Sequence, residues 1–303
     1  MHHECSGSIS VQRGARAVLI AAAAGIVLLG TSFLPGAPAT AADGKCEPAA
    51  LATKYPLLVG KTIRIGQSPT NPPYVFMESE TSEKHIGFDA DLARATFACL
   101  GVPIEFKAGK MAGLLPALVA GQIDIMWTNF YYTPARAEQV DFVTYRINSS
   151  SGVVRKGNPK KVTGLDTICG LRASANLGSL EEASFRKISA ACVAAGKPAV
   201  EVFTTQEDSA GLLLLANDRA DVLLRDTGGA SYMATKMLND IEIAFSAKSQ
   251  SRVGVGVNKT LPELRQAILD TLQILQADGT QRALMTKYGI DPSLQVPSEA
   301  LTK

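Results

Sequence analysis

Few side chains in this sequence could do covalent chemistry. The 303-residue chain has three histidines, and His2 and His3 stand at the extreme N-terminus, ahead of an apolar leader. Only His85 remains for a Ser-His-Asp or Cys-His site or for a metal, and it lies in the polar run Ser82-Glu-Lys-His85, the setting of a solvated loop histidine. Asp89 and Asp91 are expected to cap the first turn of a helix-like stretch, where acidic residues are favoured, and nothing pairs them for acid–base work. Glu181, Glu207 and Asp208 are read in the same way, as first-turn helix residues. Gly60-Lys61-Thr62 resembles the end of a phosphate loop, but Tyr55 stands where the first glycine belongs and the segment enters a strand rather than a helix. Gly254-Val-Gly256 lacks the third glycine of a dinucleotide fingerprint and reads as a strand. No metal and no cofactor are expected.

Charge points to no polyanionic partner. Lys and Arg number 30 against 28 Asp and Glu, and no basic block exceeds Lys160-Lys161, so the electrostatic footprint of a nucleic-acid-binding protein is absent from the sequence. Lys156, Lys160 and Lys161 read as a solvated loop. The length corresponds to about two domains at ~150 residues each.

Arg13 and Arg16 precede a 17-residue apolar run, Val18 to Leu34, followed by Pro35-Gly36 and the small-residue stretch Ala37 to Ala42. This is the three-part pattern of a secretory signal peptide, and the run is shorter than the ~20 residues that span a bilayer. Cleavage after Ala41 or Ala42 is expected, giving an exported, soluble chain; Cys46 follows Asp43-Gly-Lys45, which is no lipid-attachment sequence. Four cysteines then remain, Cys46, Cys99, Cys169 and Cys192, an even number in an oxidising compartment. Three pairings are open. Clustering in sequence favours Cys46 with Cys99 and Cys169 with Cys192; buried free thiols are the alternative.

Helix and strand patterns then say where polar groups are placed. Lys61 to Ile65 alternates as a strand, and Phe88 to Leu100 has helical spacing closed by Gly101. A helix stripe at Leu114, Leu115, Leu118 and Val119 leads into a buried strand, Ile123 to Trp127, ending at Thr128-Asn129. Ninety-seven residues later a stripe at Leu212, Leu215 and Ala216 leads into the strand Ala220 to Leu224, ending at Arg225-Asp226. The repeat predicts two α/β lobes of equivalent architecture, each with a polar residue at a strand's carboxyl end, where α/β sheets bind ligands. Tyr145 to Gly152 and Ser249 to Val257 read as two crossings between lobes, a two-strand hinge, and Leu261 to Ala277 as a helix returning to the first lobe.

The chain resembles the family 3 solute-binding proteins, the extracytoplasmic receptors of polar amino-acid ABC transporters. The resemblance is carried by Gly87-Phe-Asp-Ala-Asp-Leu-Ala93, Leu114 to Ile125, Thr133-Pro-Ala-Arg-Ala-Glu-Gln-Val-Asp-Phe142, Gly178-Ser-Leu-Glu-Glu182, Arg219 to Asp226 and Ala277-Asp-Gly-Thr280. It implies a bilobal periplasmic-binding-protein fold of type II, with residues 1–41 as signal peptide, 42–149 as the first part of lobe 1, 150–253 as lobe 2 and 254–303 as a return to lobe 1. It further implies a monomeric, non-catalytic receptor in the periplasm, partnered by an amino acid and a membrane permease.

By the same resemblance Arg136, in a first turn capped by Thr133-Pro134, pairs with the ligand's α-carboxylate, and Asp226 accepts its α-ammonium group. Thr128, Asn129, Asn176 and Ser179 are implied hydrogen-bonding positions, and Tyr74 and Met111 implied walls. The sequence departs from the family at Ser68, Asn71, Met111 and Tyr131, which weakens the case for a basic ligand and hints at a neutral or acidic polar side chain. A cyclohexadienyl dehydratase on the same scaffold is the alternative, with Glu181, Glu207 or Asp208 as its acid. A sensor domain of a larger receptor is a third, disfavoured reading.

Overall fold

The computed structural model describes residues 45–237 and 239–302. The expected signal peptide, with Cys5, His2 and His3, lies outside them. In chain order the elements are α1 (Leu51–Lys54), β1 (Ile63–Gln67), β2 (Thr70–Asn71), β3 (Val75–Met77), β4 (His85–Ile86), α2 (Phe88–Leu100), β5 (Ile104–Ala108), α3 (Met111–Val119), β6 (Ile125–Tyr131), α4 (Pro134–Gln139) and β7 (Asp141–Arg155). There follow β8 (Arg172–Asn176), α5 (Leu180–Ala194), β9 (Glu201–Thr205), α6 (Asp208–Ala216), β10 (Val222–Asp226), α7 (Thr227–Lys236), β11 (Ile241–Val257), α8 (Pro262–Ala277), α9 (Thr280–Lys287) and β12 (Gln295–Leu301).

Two long antiparallel strands, β7 and β11, run through both lobes. On one side of the molecule β5, β1 and β6 lie parallel and join the C-terminal half of β11, which pairs with the first half of β7, flanked by β12. On the other side β9, β8 and β10 lie parallel and join the second half of β7, which pairs with the first half of β11. The β7–β11 register slips between Ala247 and Ser251, where the strands pass from one lobe to the other. Each sheet is buried between two apolar clusters. In the first lobe Phe88, Leu92 and Phe97 of α2 pack with Leu264, Ile268 and Leu272 of α8 on one face, and Leu114 and Leu118 of α3 with Phe130 and Phe142 on the other. Phe185 of α5 and Leu215 of α6 anchor the corresponding faces of the second. The expected bilobal α/β architecture is the one observed.

At the amino ends of the parallel strands both lobes carry the same clasp. Arg64 donates its backbone N–H and Nε to Asp124 Oδ2 at 2.8 and 3.0 Å, and Nη2 to Oδ1 at 2.7 Å. Arg172 makes the same three bonds to Asp221, at 2.9, 3.1 and 2.8 Å. Both favoured disulfides are formed, Cys46 with Cys99 and Cys169 with Cys192, one in each lobe. Gly87 caps α2 at φ 116°, and a Cβ there would stand 2.3 Å from the Tyr74 carbonyl oxygen, so the turn admits no side chain.

Two expectations fail on tertiary contacts. His85 is no solvated loop residue: β4 pairs with β3, and the ring is buried, with Nδ1 2.8 Å from Gln67 Oε1 and the imidazole stacked on Phe106. Burial, with Arg94 nearby, pushes its pKa down. Asp89 and Asp91 do lie in the first turn of α2, but Gly87 is the cap and neither carboxylate bonds it. Asp91 instead accepts from Arg94, Lys287 and Tyr288, tying α2 to the C-terminal helix α9, and Asp89 turns into the interior.

Candidate functional site

The site is built where β6 and β10 end, at the boundary between the lobes. Asn129, near the end of β6, sits in the left-handed region at φ 51°, which asparagine tolerates better than most residues. Its backbone N–H donates to Asp89 Oδ2, and the other Asp89 oxygen accepts from the Tyr145 hydroxyl at 2.7 Å. Asp89 is fully buried. Desolvation pushes its pKa up, opposed by Arg146, Tyr145 and the Asn129 N–H. The Asn129 side chain accepts from Arg146 Nη2 and donates from Nδ2 to Asp226 Oδ2 at 3.1 Å, across the boundary.

Arg136 is placed by a short local signal. Thr133 caps α4 by accepting from the Arg136 N–H at 3.2 Å, and Pro134 occupies the first helical position. The guanidinium lies over the Phe130 ring at 4.6 Å, donating from Nη1 to the Tyr131 carbonyl at 2.8 Å and from Nη2 to the Gly178 carbonyl of the second lobe at 3.0 Å. Burial pulls its pKa down, opposed by Glu181 and Tyr131. A planar pair of donors of this kind suits the two oxygens of a carboxylate.

In the second lobe Asp226 ends β10 and caps α7, accepting from the Gly229 N–H at 2.7 Å. Its neighbour Arg225 is buried against Asp208, donating from Nη1 to Oδ1 at 2.7 Å and from Nη2 to Oδ2. Nη2 also donates 2.8 Å across the boundary to Asn71 Oδ1. Asn176 donates to the same Asp208, while Ser179 caps α5 by accepting from the Glu182 N–H at 3.1 Å. Glu181 follows in that turn, buried at the boundary, and desolvation pushes its pKa up against the pull of Arg225.

These groups enclose a narrow cavity of about 20 Å³, room for one water molecule, so the lobes are closed on one another. Asn71, Met111, Asn129, Tyr131, Arg136, Asn176, Ser179 and Asp226 line it, all expected from the sequence. Three expected positions do not. Ser68 and Thr128 are buried behind it, bonded through the Ser68 N–H to Thr128 Oγ1 at 3.0 Å. Tyr74 is no wall: its ring lies beneath Arg146, and its hydroxyl is within 3.4 Å of Asn148 Nδ2. Phe130, Leu180, Glu181 and Arg225 also line the cavity. Arg225 was legible as a strand-end residue beside Asp226; Arg146, behind the cavity, was hidden in a run that reads as polar linker. A wider opening of about 280 Å³ lies between Lys54, Tyr55, Cys99 and Asp270, but its polar groups satisfy one another, with Lys54 and the Tyr55 hydroxyl both on Asp270.

Residues 63–291 match the model of the bacterial extracellular solute-binding proteins, family 3. The chain belongs to that family. Among its relatives, the L-cystine-binding protein of Escherichia coli K12 is 27% identical over 228 residues, covering 75% of this chain and 82% of the relative. The histidine-binding periplasmic protein of the same organism is 26% identical over 238 residues, covering 76% and 88%. Of solved structures, an ancestral arginine-binding protein bound to arginine matches with TM-score 0.69 and 30% identity, covering 75% of this chain and 97% of its own. Among the described residues no helix is long and apolar enough to cross a membrane.

Proposed function

We propose that this family 3 protein is a periplasmic receptor that closes its two lobes on a free amino acid and delivers it to an ABC transporter permease. The observation that carries the reading is the opposition of half-buried Arg136 and buried Asp226, charges of opposite sign at one cavity, each held by a group from the facing lobe. The charges of a zwitterion match that pair, and the lobes must part from their present contact to admit one. Its carboxylate would take the two Arg136 donors now given to carbonyls, and its ammonium group would take Asp226 from Asn129. Because both ends are satisfied only when the lobes meet, the ligand favours the closed form.

We place the lobe boundaries within the long strands, at 149/150 in β7 and between Ala247 and Ser251 in β11, a few residues before the expected 253/254 because Val253 already pairs with Tyr131 of the first lobe; we assign residues 1–41 to a signal peptide and take the working form to be a monomer. For the ligand's side chain, Asn71, Asn176 and Arg225 offer hydrogen bonds, consistent with a polar amino acid. Relatives named for cystine, histidine and arginine mark the range to be screened. The experiment is a thermal-shift screen of the purified protein against the twenty amino acids, cystine, prephenate and arogenate, with calorimetry on every hit. Stabilisation by an amino acid without turnover supports the receptor.

A second reading, a cyclohexadienyl dehydratase-like enzyme, has one observation in its favour. Glu181 is a buried carboxyl on the cavity with its pKa pushed up, the state a general acid needs. Product formed from prephenate or arogenate would establish it and displace the first reading.

A further inference from the structure

Arg146 lies in β7 where the chain crosses between lobes, and it is fully buried. Its guanidinium stacks on the Tyr74 ring at 4.4 Å, with the Phe88 ring at 5.9 Å. Nη2 donates to Asn129 Oδ1, while Nε and Nη1 have no hydrogen-bond partner among the described residues. A cation so placed is expensive, and the buried Asp89 carboxylate nearby offsets only part of that cost, since no hydrogen bond joins the two.

We infer that Arg146 is a positioning residue for the ammonium end of the cleft, acting through Asn129. This rests on the reading of the cleft as an amino-acid site. A carboxamide has two ends of similar shape and opposite hydrogen-bonding character. At Asn129 one end faces the Arg146 cation and the other faces the Asp226 carboxylate. With Arg146 holding the oxygen, the NH2 group must face Asp226 and joins the lobes. Without Arg146 only Asp226 itself orients the amide, so when the lobes part nothing holds the NH2 group ready to meet it. The Asn129 backbone is fixed, because Asp89 holds its N–H and Tyr145 holds Asp89. Asn129 thus gives Asp226 a single neutral donor, which closes the lobes weakly and yields to an ammonium group with three.

The test uses the full-length protein with Arg146→Met and Arg146→Lys, each alone and combined with Asn129→Ala. Affinity for the amino acid found in the screen is read by calorimetry, and lobe closure without ligand by small-angle scattering. Arg146→Met alone should lower affinity about tenfold and raise the ligand-free radius of gyration, while Arg146→Lys, which keeps a cationic donor for the Asn129 oxygen, should recover part of both. In the Asn129→Ala background the same changes should alter affinity less than twofold. An equal loss in both backgrounds overturns the inference, as does wild-type affinity with wild-type closure. Melting curves report on folding. If neither methionine nor lysine supports a folded chain, Arg146 belongs to the core and the inference also fails. If the parent protein binds no amino acid, the receptor reading fails by itself, and the scattering comparison still decides what Arg146 does.

Discussion

At the amino ends of their parallel strands the two lobes carry the same arginine–aspartate clasp, Arg64 with Asp124 and Arg172 with Asp221, bond for bond. At the carboxyl ends equivalent positions carry different residues. Asn129 in one lobe corresponds to Asp226 in the other, 97 residues on, and Lys110 before α3 corresponds to Glu207 before α6 at the same spacing. These unlike pairs touch each other. Asn129 donates to Asp226 within the cavity, and Lys110 pairs with Glu207 at the surface. Two similar lobes facing each other about an approximate two-fold axis bring equivalent positions into contact, as in an isologous dimer. Two like carboxylates there would repel, so the facing ends must differ, whereas the remote clasps are free to stay alike. The clasps hold each lobe together, and the differences hold the lobes to each other and to a ligand.

Four measurements can break this division. The largest effect is expected for Arg136→Ala, which should weaken amino-acid binding at least ~100-fold, because it removes both donors to the ligand's carboxylate, charge-assisted bonds worth roughly 1.5–3 kcal/mol each. Unchanged calorimetric affinity would take Arg136 out of the site. Next, Asp124→Ala and Asp221→Ala should each cost roughly 1–3 kcal/mol of stability in urea melts, the usual cost of orphaned charge-assisted bonds, and leave affinity within about twofold. A clasp variant that folds normally and loses affinity would show that amino and carboxyl ends are not separate.

A smaller effect is expected at Glu181. Its pKa is raised by desolvation, so the folded state favours the protonated form. Its stabilising contribution is full below about 4.5 and is lost as pH rises through the raised folded value. Glu181→Gln should therefore gain stability over wild type at neutral pH and lose that advantage toward pH 4, read from melting temperatures across the range. A constant difference at all pH values would contradict the assignment. The smallest effect belongs to Lys110→Met, which breaks an exposed pair worth about 0–1 kcal/mol and should change affinity a few-fold at most, less at high salt.

How much of this was readable in the sequence depended on the range of the interaction. The cap at Thr133-Pro134 that places Arg136 is written within four residues, and the 97-residue repeat exposed both strand ends. The cysteine pairs likewise followed from clustering along the chain. What stayed hidden was pairing at a distance. His85 owes its burial to Gln67 and Phe106, Asp89 finds Asn129 40 residues away, and Arg225 finds Asp208 17 residues earlier. Periodicity reports which face of an element is apolar, not which polar residue from elsewhere will meet it there. Tyr74 lies one layer deeper than the resemblance implies, since the buried Arg146 that covers it sits in a run reading as a polar crossing.

The central claim is that Arg136 and Asp226 grip opposite ends of one zwitterion. It is tested most directly by titrating the protein with its best amino acid, with the α-amide of that amino acid, and with the analogue lacking the α-amino group. The account predicts that the amino acid binds and that each analogue loses at least tenfold in affinity, one for want of a carboxylate and the other for want of an ammonium group. Equal affinity for either analogue would contradict it.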